Sequence, residues 1–430
     1  MRRVLVGVLL ALLLAFSFMA TRAQPLKVYA SSQIGDADWW PMFRHDPAHT
    51  GYSTSGASAS VQAVWIYKTG GAVDSSPTVV GGVVYVGSHD GNVYALNATT
   101  GKQVWSYKTG APVESSPAVA GGIVYVHSDD YNVYALNATT GALEWSHQVS
   151  GIIGDSSTIV ADSIVFVGSY EAAVYALNAT AGTLVWIYGT DAGVESSPAV
   201  ADGLVFVGSD GAPFRYNVYA LNATTGALVW NYTTGNSVHS SPAVANGIVY
   251  VGSWDDNVYA LNATTGKLIW SYKTGSAVDS SPAVADGVVY VGSDDNNVYA
   301  LNATTGAKIW SYTTGNSVDS SPAIAAGVVL VGSDDDDVYA LNATTGKQIW
   351  TYKTGGDVYS SPAVADGFVY VGSDDGNVYA LGPAHFDVIP IVGIAIVVAA
   401  VVILAVILIR KRTKGRRETQ PPTTTTTQTR

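Results

Sequence analysis

Short apolar runs and turn residues alternate along most of the chain with a period of about 40 residues. Residues 275–310 are typical: GSAVDSSPAVADGVVYVGSDDNNVYALNATTGAKIW. Four strands are predicted here, at 281–285, 288–292, 297–301 and 308–312, because Gly, Asp and Asn turn residues bound each apolar run. The second and third runs are apolar throughout, which is typical of strands buried on both faces.

A tryptophan in the fourth predicted strand marks each of eight repeats: Trp65, Trp105, Trp145, Trp186, Trp230, Trp270, Trp310 and Trp350. The first tryptophan-bearing strand, at 61–68, comes before the first group of three other strands. The last group of three strands ends at residue 381, and no tryptophan-bearing strand follows it. The first strand therefore completes the last blade. The sequence predicts an all-β, eight-bladed β-propeller closed by its N-terminal strand.

Both ends of the chain carry apolar segments that are typical of membrane targeting or insertion. Residues 1–23 resemble a secretory signal, with Arg2 and Arg3 before an apolar run and small residues before a cleavage point after Ala23; an uncleaved anchor helix is the alternative. Residues 388–409 form an uncharged apolar run long enough to span a bilayer as a C-terminal transmembrane helix, and the basic segment 410–417 follows.

These signals predict a single-pass protein of the cell membrane. The expected order is a signal peptide (1–23), a lead-in (24–60), the propeller (61–381), a short linker (382–387), the transmembrane helix (388–409) and a basic, Thr/Pro-rich cytoplasmic tail (410–430). The propeller would then be extracellular.

Composition excludes several functions. The chain has no cysteine, so disulfides, thiol nucleophiles and cysteine zinc sites are excluded. Its net charge of −12 argues against a nucleic-acid partner, because binding phosphates requires an excess of cations. The basic residues are concentrated at the two ends, so the propeller is more acidic than the whole chain.

The recurring YALNATTGxxxW, preceded by VYVGSDD, resembles the repeat of pyrroloquinoline-quinone-type (PQQ-like) propellers. The lead-in DWWPMFRHDPAHTG at 38–51 is similar to the start of many such proteins. The resemblance covers about residues 38–381 and implies that each tryptophan packs between adjacent blades. The dehydrogenases of this superfamily use an adjacent cysteine pair, a calcium and an aspartate base. The missing cysteines argue against PQQ as cofactor, and other members are non-catalytic scaffolds.

A ring of carboxylates is expected around the central mouth, because the residue before Ser-Ser begins each innermost strand. Its acidic members are Asp74, Glu114, Asp155, Glu195, Asp279 and Asp319. Such a ring could hold a divalent cation such as calcium. A solvated polar rim around a water-filled channel explains the same residues.

The loops between the second and third strands depart from the repeat in blades 1 to 5. The departures are His89, His127, Tyr131, Tyr170, Phe214, Arg215 and Trp254. Exposed aromatic and Arg side chains are typical of contact sites. We therefore predict an interaction face for a protein or glycan, with drift in tolerant loops as the alternative.

The turns before the tryptophan strands contain Asn-Ala-Thr, an N-glycosylation sequence. The candidate positions are Asn97, Asn137, Asn178, Asn222, Asn262, Asn302 and Asn342. Asn is also simply a good turn residue, so the turn explains these positions without a glycan.

The nearly identical blades offer little specialisation for catalysis, so the sequence favours a non-enzymatic, membrane-anchored scaffold that binds protein or glycan through its outward face. The alternative is a protein that binds a quinone or cation in the central mouth, or a quinone-dependent redox protein.

Overall fold

The computed structural model describes residues 39–57, 60–151, 156–211 and 215–383. The chain divides into two units, Met1–Gly382 and Pro383–Arg430, and the first unit holds the propeller. The signal peptide, the transmembrane helix and the tail expected from the sequence lie outside the described residues. Within the described ranges, no helix has the length and apolar character needed to cross a membrane.

Eight sheets form the blades, each with four antiparallel strands, and the sheet of blade 7 has a short fifth strand added in parallel, which confirms the predicted all-β, eight-bladed propeller. The first two strands in the chain are β1 (Tyr52–Ser53) and β2 (Gln62–Lys68).

The innermost strands of blades 1 to 8 are β3 (Thr78–Val80), β7 (Ala118–Ala120), β11 (Ile159–Ala161), β15 (Ala199–Ala201), β19 (Ala243–Ala245), β23 (Ala283–Ala285), β27 (Ala323–Ala325) and β31 (Ala363–Ala365). The second strands are β4 (Val83–Gly87), β8 (Ile123–Ser128), β12 (Ile164–Ser169), β16 (Leu204–Gly208), β20 (Ile248–Gly252), β24 (Val288–Ser293), β28 (Val328–Gly332) and β32 (Phe368–Gly372).

The third strands are β5 (Asn92–Asn97), β9 (Asn132–Asn137), β13 (Ala173–Asn178), β17 (Asn217–Asn222), β21 (Asn257–Asn262), β25 (Asn297–Asn302), β29 (Asp337–Asn342) and β33 (Asn377–Gly382). The outermost strands of blades 1 to 7 are β6 (Gln103–Lys108), β10 (Leu143–Gln148), β14 (Leu184–Gly189), β18 (Leu228–Thr233), β22 (Leu268–Lys273), β26 (Lys308–Thr313) and β30 (Gln348–Lys353).

The N-terminal strand closes the ring as predicted. β2 pairs antiparallel with β33 and so becomes the outermost strand of blade 8. The second and third strands of each blade are buried almost throughout, because neighbouring blades cover both of their faces.

The tryptophans pack between blades. The indole N–H of seven of them donates to a carbonyl of the next blade at 2.8–2.9 Å, as Trp65 of blade 8 does to Ala98 of blade 1. The glycine that ends the next blade's Thr-Gly turn lies against the ring: a Cβ at Gly306 would be 2.7 Å from Trp270. The repeat therefore needs both residues at this spacing.

A segment that we call the strap, residues 39–53, runs inside the ring. Strap carbonyls accept backbone hydrogen bonds from the innermost strands of blades 1, 2, 4, 5, 6 and 7 at 2.6–2.8 Å. β1, at its end, pairs parallel with β27. The lead-in thus forms part of the propeller's core.

Candidate functional site

The two faces of the propeller differ in the loops that form them. The loops between second and third strands, and the links from one blade to the next, form the face that we call the top. The turns after the first and third strands form the bottom.

The central mouth opens on the top face as a cavity of about 310 Å³. The described residues of the predicted carboxylate ring all line it, namely Asp74, Glu114, Glu195, Asp279 and Asp319, and His239 and Tyr359 occupy the same position in blades 5 and 8. Phe43 of the strap lines it as well. Asp155 lies outside the described residues.

A second circle of side chains, from the top-face loops, alternates with this ring. His89 lies between Asp74 and Glu114, with its Nε2 at 2.8 and 3.3 Å from their carboxylate oxygens. Trp254 lies between the ring positions of blades 5 and 6: it packs on His239 with ring centroids 4.3 Å apart and donates its indole N–H to Asp279. Two predicted interaction residues therefore belong to the mouth.

His239, the second histidine at the mouth, is surrounded by carboxylates. Its ring nitrogens lie 3.4 Å from Glu195 and 3.4 Å from Asp210, and 3.6 Å from Asp279. Glu195, Asp210 and His239 bring three ligand-type atoms within 4.8 Å of one another.

Blades 6 and 7 hold a run of carboxylates that we call the acidic arc: Asp279, Asp294, Asp319 and Asp334. Burial, followed by the charges of its neighbours Asp334 and Asp279, raises the pKa of Asp319 to about 8. Burial and Asp357 raise the pKa of Asp334 to about 7, and burial and Asp279 raise the pKa of Asp294 to about 6. The arc therefore favours a proton or another cation at neutral pH.

The two aspartates of each Asp-Asp loop have different roles. A carboxylate oxygen of Asp294 lies within 4.8 Å of those of Asp279 and Asp319, which line the mouth. Asp295 instead accepts hydrogen bonds from the Tyr299 hydroxyl at 2.6 Å and from the Gly275 N–H at 2.6 Å. Asp335 repeats the second arrangement with Tyr339 in blade 7. Only the first aspartate of each pair is available to a ligand at the mouth.

Below the carboxylates lies a ring of serines that the sequence analysis missed. In each blade the second serine of Ser-Ser accepts a hydrogen bond from the equivalent backbone N–H of the preceding blade, at 2.8–3.1 Å. The eight bonds form a closed circle that ends with Ser361 donating to Ser76. The recurrence of Ser-Ser in every repeat was the available signal.

The strap fixes the floor of the mouth with buried polar side chains. Arg44 is 2% exposed and donates to the carbonyls of Pro322, at 2.6 Å, and Pro282. His49 is fully buried, its Nδ1 lies 3.1 Å from the Pro242 carbonyl, and burial together with Arg44 lowers its pKa to about 3. His49 is therefore neutral at physiological pH.

The predicted interaction residues do not form one surface. Tyr170 and Tyr131 are exposed, at 51% and 40%, and Arg215 is exposed as well. His127 contradicts the prediction, because it is fully buried. It lies within strand β8, one residue before the strand ends at Ser128 and where the repeat has glycine, and is not a loop residue. Phe214 lies outside the described residues.

The candidate glycosylation asparagines all lie in bottom-face turns. In six of the seven turns the asparagine Oδ1 accepts hydrogen bonds from the backbone N–H groups two and three residues ahead, as Asn262 does from Thr264 and Thr265. The turn role is thereby confirmed, and glycosylation stays a prediction.

The repeats, the eightfold closure and the acidic mouth together define a PQQ-like repeat β-propeller. A family model described as "Beta-alanine-activating enzyme, beta-propeller" matches residues 155–389, more than half of the chain. The chain belongs to this family of β-propellers. A second model, described as "Outer membrane protein assembly factor BamB", matches residues 53–162.

Solved structures share the fold at low identity. BamB from Moraxella catarrhalis is 22% identical with a TM-score of 0.65, covering 76% of this chain and 98% of its own. Quinohemoprotein alcohol dehydrogenase from Comamonas testosteroni is 18% identical with a TM-score of 0.71, covering 81% of each chain. The computationally designed Ika8 protein is 18% identical with a TM-score of 0.68, covering 75% of this chain and 100% of its own. No curated protein matches the sequence.

Proposed function

We propose that the chain is a non-catalytic binding scaffold whose mouth takes a basic segment of a protein partner. The observation that carries this proposal is the double circle of side chains around the mouth, in which carboxylates far outnumber the histidines. Converging carboxylates produce a negative potential that attracts a positively charged partner and selects it over others. The exposed Tyr170, Trp254 and Tyr359 extend the contact area around the mouth.

The mouth is a poor fit for the quinone of the dehydrogenases. PQQ carries carboxylates, and the described residues that line the cavity include carboxylates but no lysine, arginine or amide side chain. The chain also lacks the cysteine pair of those enzymes. Both observations support a scaffold.

The binding proposal is tested with a fluorescent hexa-arginine peptide and the full-length chain. The variant Asp74→Asn/Asp210→Asn/Asp374→Asn removes three carboxylates outside the acidic arc. Asp74 lines the mouth, Asp210 lies beside His239, and Asp374, in the top-face loop after β32, carries a charge that acts on Asp334. We expect this variant to weaken binding by roughly tenfold or more, measured by fluorescence anisotropy near physiological ionic strength.

A matched control removes three charges from bottom-face turns: Asp202→Asn, Asp286→Asn and Asp366→Asn. It should bind the peptide as the unaltered chain does. Equal weakening in both variants would mean that net charge alone attracts the peptide, and the mouth would lose its assigned role. Preference for neutral oligosaccharides would favour a glycan partner.

The terminal segments support a surface location. The signal-like residues 1–23 and the apolar residues 388–409 favour export and a single-pass anchor. A membrane-impermeant amine reagent on intact source cells should label Lys102, Lys267 and Lys347, which are exposed. Lys411 and Lys414 should react only after permeabilisation; labelling of the tail on intact cells would contradict this topology.

Cation binding is a second candidate function, favoured by the geometry of the acidic arc. Carboxylate oxygens of Asp279, Asp294 and Asp319 lie within 4.8 Å of one another, and calcium prefers oxygen ligands. Calcium should then raise the melting temperature of the chelator-treated full-length chain, and Asp279→Asn/Asp319→Asn should abolish that rise. If the melting temperature does not rise at millimolar calcium, the acidic arc binds protons and not calcium.

A further inference from the structure

A cleft of about 450 Å³ lies between blades 2 and 3 on the bottom face, away from the mouth. Its apolar part includes Tyr125, Trp145 and Val160. Its polar rim includes Glu144 and Asp162, both exposed, together with the hydroxyls of Ser163 and Thr180. This volume is in the range of small-molecule sites.

Three departures from the repeat meet at this cleft. The residue before the tryptophan is Val or Ile in seven blades and Glu144 in blade 2. The second turn residue after the innermost strand is Gly in seven blades and Ser163 in blade 3, at a φ of 63°. Trp145 is half-buried, whereas the seven tryptophans at the same position of the other blades are at most 9% exposed.

The accessible indole of Trp145 matters because of what surrounds it. Its N–H is already used, donating to the Ala179 carbonyl at 2.9 Å, and its ring lies 5.9 Å from that of Tyr125. The exposed part of Trp145 therefore offers π surface and apolar contact. An indole face is the strongest cation–π partner among side chains.

The charged side chains that line the cleft are all negative. Among the described residues that line it are two carboxylates and no lysine, arginine or histidine. The Asn137 amide donates to Glu144 Oε1 at 3.2 Å, which fixes the carboxylate at the edge of the cleft. An anionic ligand would be repelled, and a cation with an apolar body would satisfy both parts of the cleft.

We propose that the cleft between blades 2 and 3 is a binding site for a small organic ammonium ion, with the carboxylates of Glu144 and Asp162 around the positive charge and Trp145 against its alkyl groups. This site is independent of the proposed function of the mouth, because it lies on the opposite face and shares no residue with it.

The experiment compares three probes of similar shape and different charge: tetramethylammonium, neopentyl alcohol and trimethylacetate. Each is titrated into the full-length chain and followed by saturation-transfer NMR, with methyl glucoside as a fourth arm. Saturable binding is expected for tetramethylammonium only. Equal binding of the three shape-matched probes would show a merely apolar cleft, preference for the glucoside would show a carbohydrate site, and an unsaturable signal would show no site; each overturns the proposal.

The variant Glu144→Val restores the residue that the neighbouring blades carry, so it should fold normally. We expect it to weaken tetramethylammonium binding by roughly two- to fivefold, because an exposed carboxylate attracts a cation through solvent without a hydrogen bond. Val185→Glu, the same position in blade 3, is the matched control and should leave binding unchanged. Unchanged binding in Glu144→Val would also overturn the proposal.

Discussion

At the scale of single residues, the surroundings of each aspartate decide its role. Asp294 and Asp295 are adjacent in the sequence. The first lies in a run of carboxylates with a raised pKa, and the second is fixed by a tyrosine hydroxyl and backbone N–H groups. The sequence shows the acidic loop, but it cannot show which carboxylate lies beside those of the next blade.

The acidic arc makes stability depend on pH. The raised pKa of Asp319, about 8, keeps it protonated in the folded chain, whereas an unfolded aspartate ionises near pH 4. The folded state thus holds the extra proton between these values, and its free energy of unfolding falls as pH rises through them. With chelator present, Asp319→Asn should stabilise the chain by about 1–2 kcal/mol at pH 8 and much less at pH 4.

Thermal unfolding monitored by circular dichroism at both pH values measures this difference. Asp286→Asn, on the bottom face, is the control and should show no comparable change with pH. An equal effect of Asp319→Asn at pH 4 and pH 8 would mean that this carboxyl titrates normally.

The error at His127 has a cause that the sequence contains. Aligning the repeats places His127 in the glycine position that ends the second strand. In the seven other blades this glycine is so close to a valine of the next blade that a Cβ would lie 2.3–2.5 Å from the valine side chain, as at Gly87 and Val113. In blade 3 the valine position holds Gly154. Histidine in place of glycine in blade 2 and glycine in place of valine in blade 3 are therefore two departures at matched positions of the sequence, which only the alignment of neighbouring repeats reveals.

At the scale of elements, the fit of glycine against tryptophan can be separated from backbone strain. Gly306 and Gly287 both have positive φ, at 71° and 77°. A Cβ on Gly306 would lie 2.7 Å from the Trp270 ring, whereas a Cβ on Gly287 would meet nothing within 4 Å. Gly287→Ala should cost about 1 kcal/mol from strain, and Gly306→Ala about 1–3 kcal/mol more from overpacking.

Denaturant unfolding of the two variants gives both costs, and the difference between them isolates the packing against Trp270. Equal costs would show that the tryptophan moves aside freely. The blade interface would then be looser than the short contact implies.

The strands, their order in a blade and the packing of the tryptophans could be predicted because the same sequence pattern recurs eight times. The predicted strand 281–285 starts two residues later, at Ala283, since Ser281 instead bonds between blades. The strap could not be placed, because it occurs once and its Arg44 and His49 resemble exposed polar residues until the ring surrounds them. The serine circle exists only after closure, so no single repeat contains it.

At the scale of the whole molecule, blade 8 differs from the other seven blades in connectivity, because the seam that closes the ring lies within it, between β2 and β33. Blade 8 is completed by β2, so its three other strands and β2 are joined by hydrogen bonds rather than by a turn. Trp65 at this seam and Trp230 in blade 4 are equally buried, at 9% and 8%, and each donates its indole N–H at 2.8 Å. The two tryptophans thus make the same contact in two different chain connections.

Trp65→Ala and Trp230→Ala should therefore cost similar equilibrium stability, about 3–5 kcal/mol each. They should differ in how the ring opens, because loss of Trp65 frees a strand that no turn retains, whereas blade 4 keeps both of its covalent connections. Hydrogen exchange should accelerate in β2 and β33 for Trp65→Ala, and near β18 alone for Trp230→Ala. If both variants instead accelerate exchange equally in β2, the propeller opens at its seam whichever interface is weakened, and closure by the N-terminal strand limits the stability of the entire ring.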